Sequence, residues 1–157
     1  MKKEDKTNVM RVLDQKKITY TGHSYVADPT LTGEQIAGIL GEDTRQVFKT
    51  LVAGGKSGKY YVFVIPVECE LDLKKAAKAA GEKSVSMIRQ KELLPLTGYV
   101  HGGCSPVGMK KQFPTFIHET VKDCPRIFVS AGRVGAQIEL DPADLIRLIR
   151  CRTADLV

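Results

Sequence analysis

Residues 98–108 read Gly-Tyr-Val-His-Gly-Gly-Cys-Ser-Pro-Val-Gly, with four glycines and one proline in eleven positions. Glycine has no Cβ, so such a loop lets bare backbone N–H groups come close to a ligand. Donors held that way can form an oxyanion hole, where the loss of one typically costs about 3–4 kcal/mol of transition-state stabilisation. Upstream, a lone lysine, Lys49, interrupts the apolar run Gln46-Val-Phe-Lys-Thr-Leu-Val52. A backbone cradle and one committed cation together suit an ester carbonyl or a phosphate. The loop lacks the Gly-Lys-Ser/Thr ending of a P-loop and the GxGxxG spacing of a dinucleotide fold. Glycine-rich turns are also plain connectors, so the loop alone names no reaction.

With the strand period of two, Phe48, Thr50 and Val52 share one face, and Val47, Lys49 and Leu51 the other. Lysine on an otherwise apolar face is either an edge residue that snorkels to water or a cation aimed into a cleft. Cys104 lies in the loop with His101 three residues before it, which invites a Cys–His nucleophile. Against this, catalytic pairs are usually assembled from distant segments, and no third orienting residue stands out. Ser130-Ala-Gly132 follows a strand pattern and is either a second cleft wall or a turn. His23 and His118 have no metal-ligand spacing with each other or with a cysteine, so no metal or cofactor is expected. Lys74, Lys75 and Lys78 fall on one helix, while Lys110 and Lys111 directly follow the loop, better placed to meet a nucleic-acid backbone.

The elements that must position these residues are legible from patterning. A helix is expected over residues 7–15, a strand over 19–26, and a helix opened by the capping box Thr32-Gly-Glu-Gln35, buried through Ile36, Ala37, Ile39 and Leu40, and closed by Gly41. Strands 46–53 and 59–67 flank a glycine-rich hairpin loop, the second strand being β-prone on both faces. Asp72 caps a helix through Ala80. A short helix over 86–94 ends before Pro95. Strands follow at 115–118, 126–130 and 137–140, and Asp141-Pro142 opens the last helix. Hairpin strands mixed with scattered helices imply a mixed α/β fold with a closed or half-closed barrel-type sheet.

The 157 residues favour one domain, 1–157, with a core from about residue 8. Hydrophobic content of 43% and charged content of 27% fit an ordinary soluble protein. The net charge of +6 suits a polyanionic partner without requiring one. Cys69, Cys104, Cys124 and Cys151 contain no CxxC pair. Met1-Lys2-Lys3-Glu4-Asp5 is followed by no apolar leader, and no apolar run reaches membrane length. A reducing cytoplasm is the expected location.

Several segments in order resemble one family: Phe48-Lys49-Thr50-Leu51, Leu73-Lys-Lys-Ala-Ala77, Thr97-Gly98-Tyr99, Gly102-Gly-Cys-Ser-Pro-Val-Gly-Met-Lys-Lys111, Val129-Ser-Ala-Gly-Arg133, and Ile138-Glu139-Leu140 with Asp144-Leu145. The chain resembles the YbaK/EbsC family from about residue 8 onward, and within it the Cys-tRNA(Pro) deacylases related to the editing domain of bacterial prolyl-tRNA synthetases. The resemblance implies a YbaK-like barrel-type mixed sheet with surrounding helices. It also implies removal of a wrongly attached amino acid from the acceptor end of tRNA-Pro, with prolyl-tRNA synthetase as a possible partner. Editing has a physical cause: a synthetase pocket separates near-isosteric side chains by only about 1–3 kcal/mol per methylene.

By the same resemblance, Lys49 is the principal functional side chain and the loop Gly102–Pro106 surrounds the aminoacyl ester, with Gly103, Cys104 and Ser105 supplying amides. Tyr25, Phe48, Ser130 and Gly132 join the substrate site. The nucleophile is the substrate's own thiol. Relatives often carry an aliphatic residue at Cys104, which shifts weight from its thiol to its backbone. Gln137 stands where some relatives have aspartate, so a role for that carboxylate does not transfer. Alternatives are deacylation of Ala- or Ser-tRNA by activated water, a non-catalytic tRNA or synthetase binder, and a Cys104 thiol hydrolase.

Overall fold

A computed structural model describes residues 6–157. Met1–Asp5, from which the absence of a leader is argued, lie outside the described residues. In chain order the elements are α1 (Asn8–Gln15), β1 (Tyr20–Ser24), α2 (Gly33–Leu40), β2 (Phe48–Gly55), β3 (Tyr60–Pro66), α3 (Leu73–Ala80), β4 (Val85–Met87), α4 (Gln90–Thr97), β5 (Thr115–His118), β6 (Ile127–Ser130), β7 (Ala136–Leu140), α5 (Pro142–Ile149) and β8 (Arg152–Ala154). Short 3₁₀ turns occupy Thr44–Gln46 and Glu119–Asp123.

The apolar run of β3 is buried from Tyr61 to Pro66. A strand of that kind must be covered on both faces, and it sits inside the larger sheet, ordered β4-β2-β3-β5-β8. Its two faces define two cores. Val62 and Val64, with Phe48 and Val52 of β2, pack against α1, α5 and the second sheet. Phe63 and Ile65, with Ala53, pack against Ala76 and Ala77 of α3. The second sheet, β1-β7-β6, is antiparallel and gives Ile127, Val129, Ala136, Ile138 and Leu140 to the first core.

The two sheets touch through one parallel bridge, Val47↔Phe128. Among the described residues no further pairing joins them, so the fold is mixed α/β with two sheets, and the expected barrel does not close.

Helix ends follow their caps. The Thr7 hydroxyl accepts from the Met10 N–H, Thr32 and Gln35 form the reciprocal box, and Asp72 and Asp141 cap α3 and α5. The stretch 86–94 differs from expectation. Val85–Met87 pairs with Ala53–Gly55 at the edge of β2, and the helix begins only at Gln90, where the Glu92 carboxylate accepts from the Arg89 N–H at 2.7 Å. Pro95 lies inside α4 and forfeits one backbone bond, yet the helix continues to a left-handed Gly98 (φ 84°). Ile39 is 59% exposed, against expectation. Helix α2 buries only Ala37, in a small cluster with Val47, Val67 and Phe128, and covers the sheet junction thinly. β8 carries no strand pattern in the sequence, being three residues long and opened by a charge.

Candidate active site

A cavity of about 340 Å³ opens beside β2. β4 pairs only with Ala53–Gly55, so Phe48–Leu51 has β3 on one flank and the cavity on the other. The residues before and within α2 (Leu31, Thr32, Gly33, Ile36) form one wall. His101, Gly102 and Cys104 form a second, and Ser130 with Gln137 a third. Tyr25 closes a corner, its N–H donating to the Gly135 carbonyl at 3.0 Å. From the Val47↔Phe128 bridge, β2 and β6 run in the same direction, and the cavity separates Val47–Leu51 from Ser130.

Lys49 is half-buried, pairs in register with Ile65, and has no ion-pair partner among the described residues. Its nearness helps the ionised form of the Cys69 thiol, although burial and Glu68 push that thiol up overall. The unpaired-edge and cleft-cation descriptions therefore coincide: Lys49 stands on a strand flank without a partner, and that flank is the cavity wall. Phe48 is 3% exposed and belongs to the core while also lining the cavity.

The glycine loop is fixed from within. Gly102 has φ 87°. A Cβ on Gly103 would lie 2.9 Å from the Arg133 and Val134 backbones, so only glycine permits this approach. The Gly103 N–H donates to the Val100 carbonyl at 3.0 Å, which corrects the expectation that this amide serves a ligand. Ser105 is fully buried and its Oγ accepts from the Val107 N–H at 3.2 Å. The Tyr99 hydroxyl donates to the Val107 carbonyl at 2.5 Å. Pro106 is buried. Gly132 (φ 101°) packs against Val9 and Tyr99. Gly103, Ser105, Pro106 and Gly132 thus build the walls without lining the cavity, whereas Tyr25, Phe48, Lys49, Gly102, Cys104 and Ser130 line it.

Burial pushes the Cys104 thiol up to about 12. A nucleophilic cysteine needs the opposite shift, His101 is exposed, and no hydrogen bond joins the two among the described residues. Cys104 is a protonated wall residue. All four cysteines are free.

Three polar groups were missed by sequence reasoning. Thr50 Oγ1 and Gln137 Oε1 are buried without a hydrogen-bond partner, and both residues line the cavity. Behind Gln137, the Glu42 carboxylate is also without a partner of good geometry. Burial raises its pKa, and the Gln137 amide and His23 offset this only in part. Buried polar groups are ordinarily satisfied, and these three stand unpaired at the cavity or directly behind its wall. For Gln137 the only signal is the resemblance, in which some relatives carry aspartate there; Thr50 and Glu42 have none, because such residues ordinarily read as solvent-facing.

The model of the aminoacyl-tRNA editing domain matches residues 27–148. The chain belongs to the aminoacyl-tRNA editing domain family. EbsC of Enterococcus faecalis, provisionally named a Cys-tRNA(Pro)/Cys-tRNA(Cys) deacylase, is 44% identical over 156 residues, covering 99% of this chain and 95% of EbsC. YwhH of Bacillus subtilis, uncharacterised, is 27% identical over 73% of this chain and 72% of its own length. A crystal structure described as a provisional trans-editing enzyme for prolyl-tRNA synthetase superposes with a TM-score of 0.80 at 26% identity, covering 94% of this editing-domain chain and 95% of that one. The resemblance to the YbaK/EbsC family carried by Phe48–Leu51 and the 102–111 loop is thereby shown. Among the described residues of this editing domain, no cluster of three metal-ligating side chains occurs, and no helix is long and apolar enough to cross a membrane.

Proposed function

We propose that this chain is a trans-editing aminoacyl-tRNA deacylase that clears cysteine from mischarged Cys-tRNA(Pro), acting as one editing domain across its length. The observation that carries the reading is the cavity itself. It joins an unpaired cation, Lys49, to the Gly102–Cys104 backbone within mostly apolar walls. Membership of the editing family and the name of the 44%-identical relative support the substrate class.

Lys49 holds the terminal adenosine or its phosphate and orients the ester. Among the loop amides, that of Cys104 remains for the developing oxyanion, since that of Gly103 is committed to Val100 and Ser105 lies behind the cavity wall. Thr50 Oγ1 and Gln137 Oε1 accept hydrogen bonds from the substrate's α-ammonium group, which supplies the donors these buried oxygens lack. The substrate thiol attacks its own ester carbonyl. A C–S bond forms, the C–O bond to ribose breaks, and the thiol proton passes to the departing ribose oxygen, leaving a thiolactone and free tRNA. The high effective molarity of an intramolecular attack replaces a positioned water. The acceptor end of tRNA-Pro is the bound partner, and prolyl-tRNA synthetase is the protein from which the substrate arrives.

The test is a deacylation panel of Cys-, Ala- and Ser-tRNA(Pro) with wild type and Lys49→Ala. Lys49→Ala is expected to lower kcat/KM on Cys-tRNA(Pro) at least about 100-fold, the scale of one transition-state contact, with an unchanged melting temperature. A tRNA carrying a desthio analogue should be stable to the wild type. Near-normal turnover by Lys49→Ala removes the central assignment. Equal cleavage of the desthio ester replaces thiol attack by water.

A further inference from the structure

A larger depression, about 730 Å³, lies away from the aminoacyl cavity. Four cations from separate segments line it: Lys59 at the β2–β3 turn, Lys111 before β5, Arg150 after α5, and Arg152 opening β8. Arg150 adopts a left-handed conformation (φ 53°) that turns the chain from α5 into β8. None of the four forms an ion pair with a described residue, and no carboxylate lines the depression. Other surface cations also lack ion pairs, but these four are gathered around one depression whose lining holds no acid. Glu82, whose charge Lys59 favours, is engaged by Ser57 and Tyr61. Exposed like charges gathered without counter-ions repel one another unless a polyanion covers them.

Lys111 Nζ sits 5.8 Å from the Phe113 ring centroid, and that ring meets Tyr60 edge-on at 5.7 Å. Phe113 is only 7% exposed. It steadies Lys111 and offers little surface for base stacking, so the site fits phosphates and not bases. Lys49 pairs with Ile65, and Tyr60 lies at the opposite end of β3. Five residues of strand correspond to about 17 Å. An aminoacyl ester in the cavity does not reach this far, whereas a tRNA does.

We propose that this basic depression is a second tRNA contact, taking sugar–phosphate backbone of the tRNA body while the aminoacyl end occupies the Lys49 cavity. The proposal rests on the deacylase reading. It predicts a preference for whole tRNA over the isolated acceptor end, set by charge and not by base readout.

The experiment compares wild type with the triple variant Lys59→Gln, Lys111→Gln, Arg152→Gln on full-length Cys-tRNA(Pro) and on a short acceptor-end oligonucleotide carrying cysteine. The variant is expected to raise KM for whole tRNA at least about 10-fold with kcat unchanged, and to leave the short substrate within twofold. Direct titration with uncharged tRNA should show a salt slope shallower by about 2–3, since each phosphate no longer neutralised removes about 0.7–0.9 from it. Unchanged tRNA binding overturns the proposal, as does an equal loss on both substrates. Tighter binding of wild type to phosphatidylserine vesicles than to tRNA overturns the choice of RNA. If wild type cleaves neither substrate, the deacylase reading fails, and the titration still decides whether the depression binds tRNA. If the triple variant does not fold, the exposed single changes Lys59→Gln and Lys111→Gln are titrated, each expected to reduce the slope by about 0.7–0.9.

Discussion

Single residues divide here into those that declare themselves and those that hide. Lys49 is visible because a lysine breaks an apolar alternation, and the structure gives it a cavity wall and no counter-ion. Cys104 is visible too, for a misleading reason: the thiol invites a nucleophile, and burial holds it protonated at about 12. Cys104→Ala is therefore expected to keep turnover within about threefold of wild type, since the loop backbone carries the contact. A loss of 100-fold or more in single-turnover assays, the cost of a missing catalytic group, would restore the thiol to the mechanism. Gln137 and Thr50 illustrate what a sequence conceals. Each looks like an outward strand residue, and only the three-dimensional placement leaves its oxygen buried and unpartnered. Gln137→Leu, close in volume, should weaken binding of a substrate with a free α-amine while leaving an N-acetylated analogue unaffected. The loss is expected between about 10- and 150-fold in kcat/KM, matching a hydrogen bond to a charged group at about 1.5–3 kcal/mol. An equal loss on both esters would show that Gln137 serves packing alone.

At the scale of elements, the glycine loop works as a clamp, with its specificity in its glycines and internal hydrogen bonds. Gly103 meets the Arg133–Val134 backbone so closely that a methyl group has nowhere to go. Gly103→Ala should displace the 98–108 loop from the turn after β6. Overpacking of this kind costs about 1–3 kcal/mol, which lowers the melting temperature and takes Cys104 out of register with Lys49. Turnover is then expected to fall further than stability explains at assay temperature. An unchanged melting temperature and rate would mean the two loops part without cost. Ser105→Ala should show a smaller stability loss, about 1 kcal/mol, from the single bond to the Val107 N–H. Element positions were largely legible because caps are local: Thr32 with Gln35, Asp72 with Gly81, and Asp141-Pro142 each mark a helix end by their own chemistry. The 86–94 stretch was not. β4 exists only because the edge of β2 offers Ala53–Gly55 as a partner, and Pro95 is tolerated inside α4 because it removes a single bond. Which face of α2 is buried was equally invisible: Ile36 and Ile39 look alike in a helical pattern, and the shallow junction beneath leaves Ile39 exposed.

At the scale of the molecule, the open seam between the two sheets makes the site possible. A closed barrel would pair β2 along both flanks and fill the space that Lys49 faces; here, among the described residues, one bridge, Val47↔Phe128, is the backbone pairing between sheets that otherwise meet through their shared core. The seam carries an electrostatic cost at Glu42, which faces Gln137, His23 and Glu139. Burial raises its pKa above the ordinary 4.5, whereas Glu139, held by His23 and Arg126, is lowered from the same value. The two act in different pH windows. For Glu42 the folded state penalises the ionised form. The penalty is complete above its raised folded pKa and disappears as pH falls toward the unfolded value. For Glu139 the folded state favours the ionised form. That contribution is complete above about 4.5 and is lost as pH falls through the lowered folded pKa. Glu42→Gln should therefore stabilise the protein at pH 7 by about 1 kcal/mol, a modest figure because the residue is only half-buried and the Gln137 amide and His23 offset part of the cost. The gain should shrink to nothing near pH 4. Thermal melts of wild type and variant between pH 4 and pH 8 decide it. A variant less stable than wild type at pH 7 would mean that the carboxylate is satisfied in solution. A stabilised variant that also loses affinity for the aminoacyl ester would show that the unpaired charge at the seam is retained for the substrate's ammonium group, reached through Gln137.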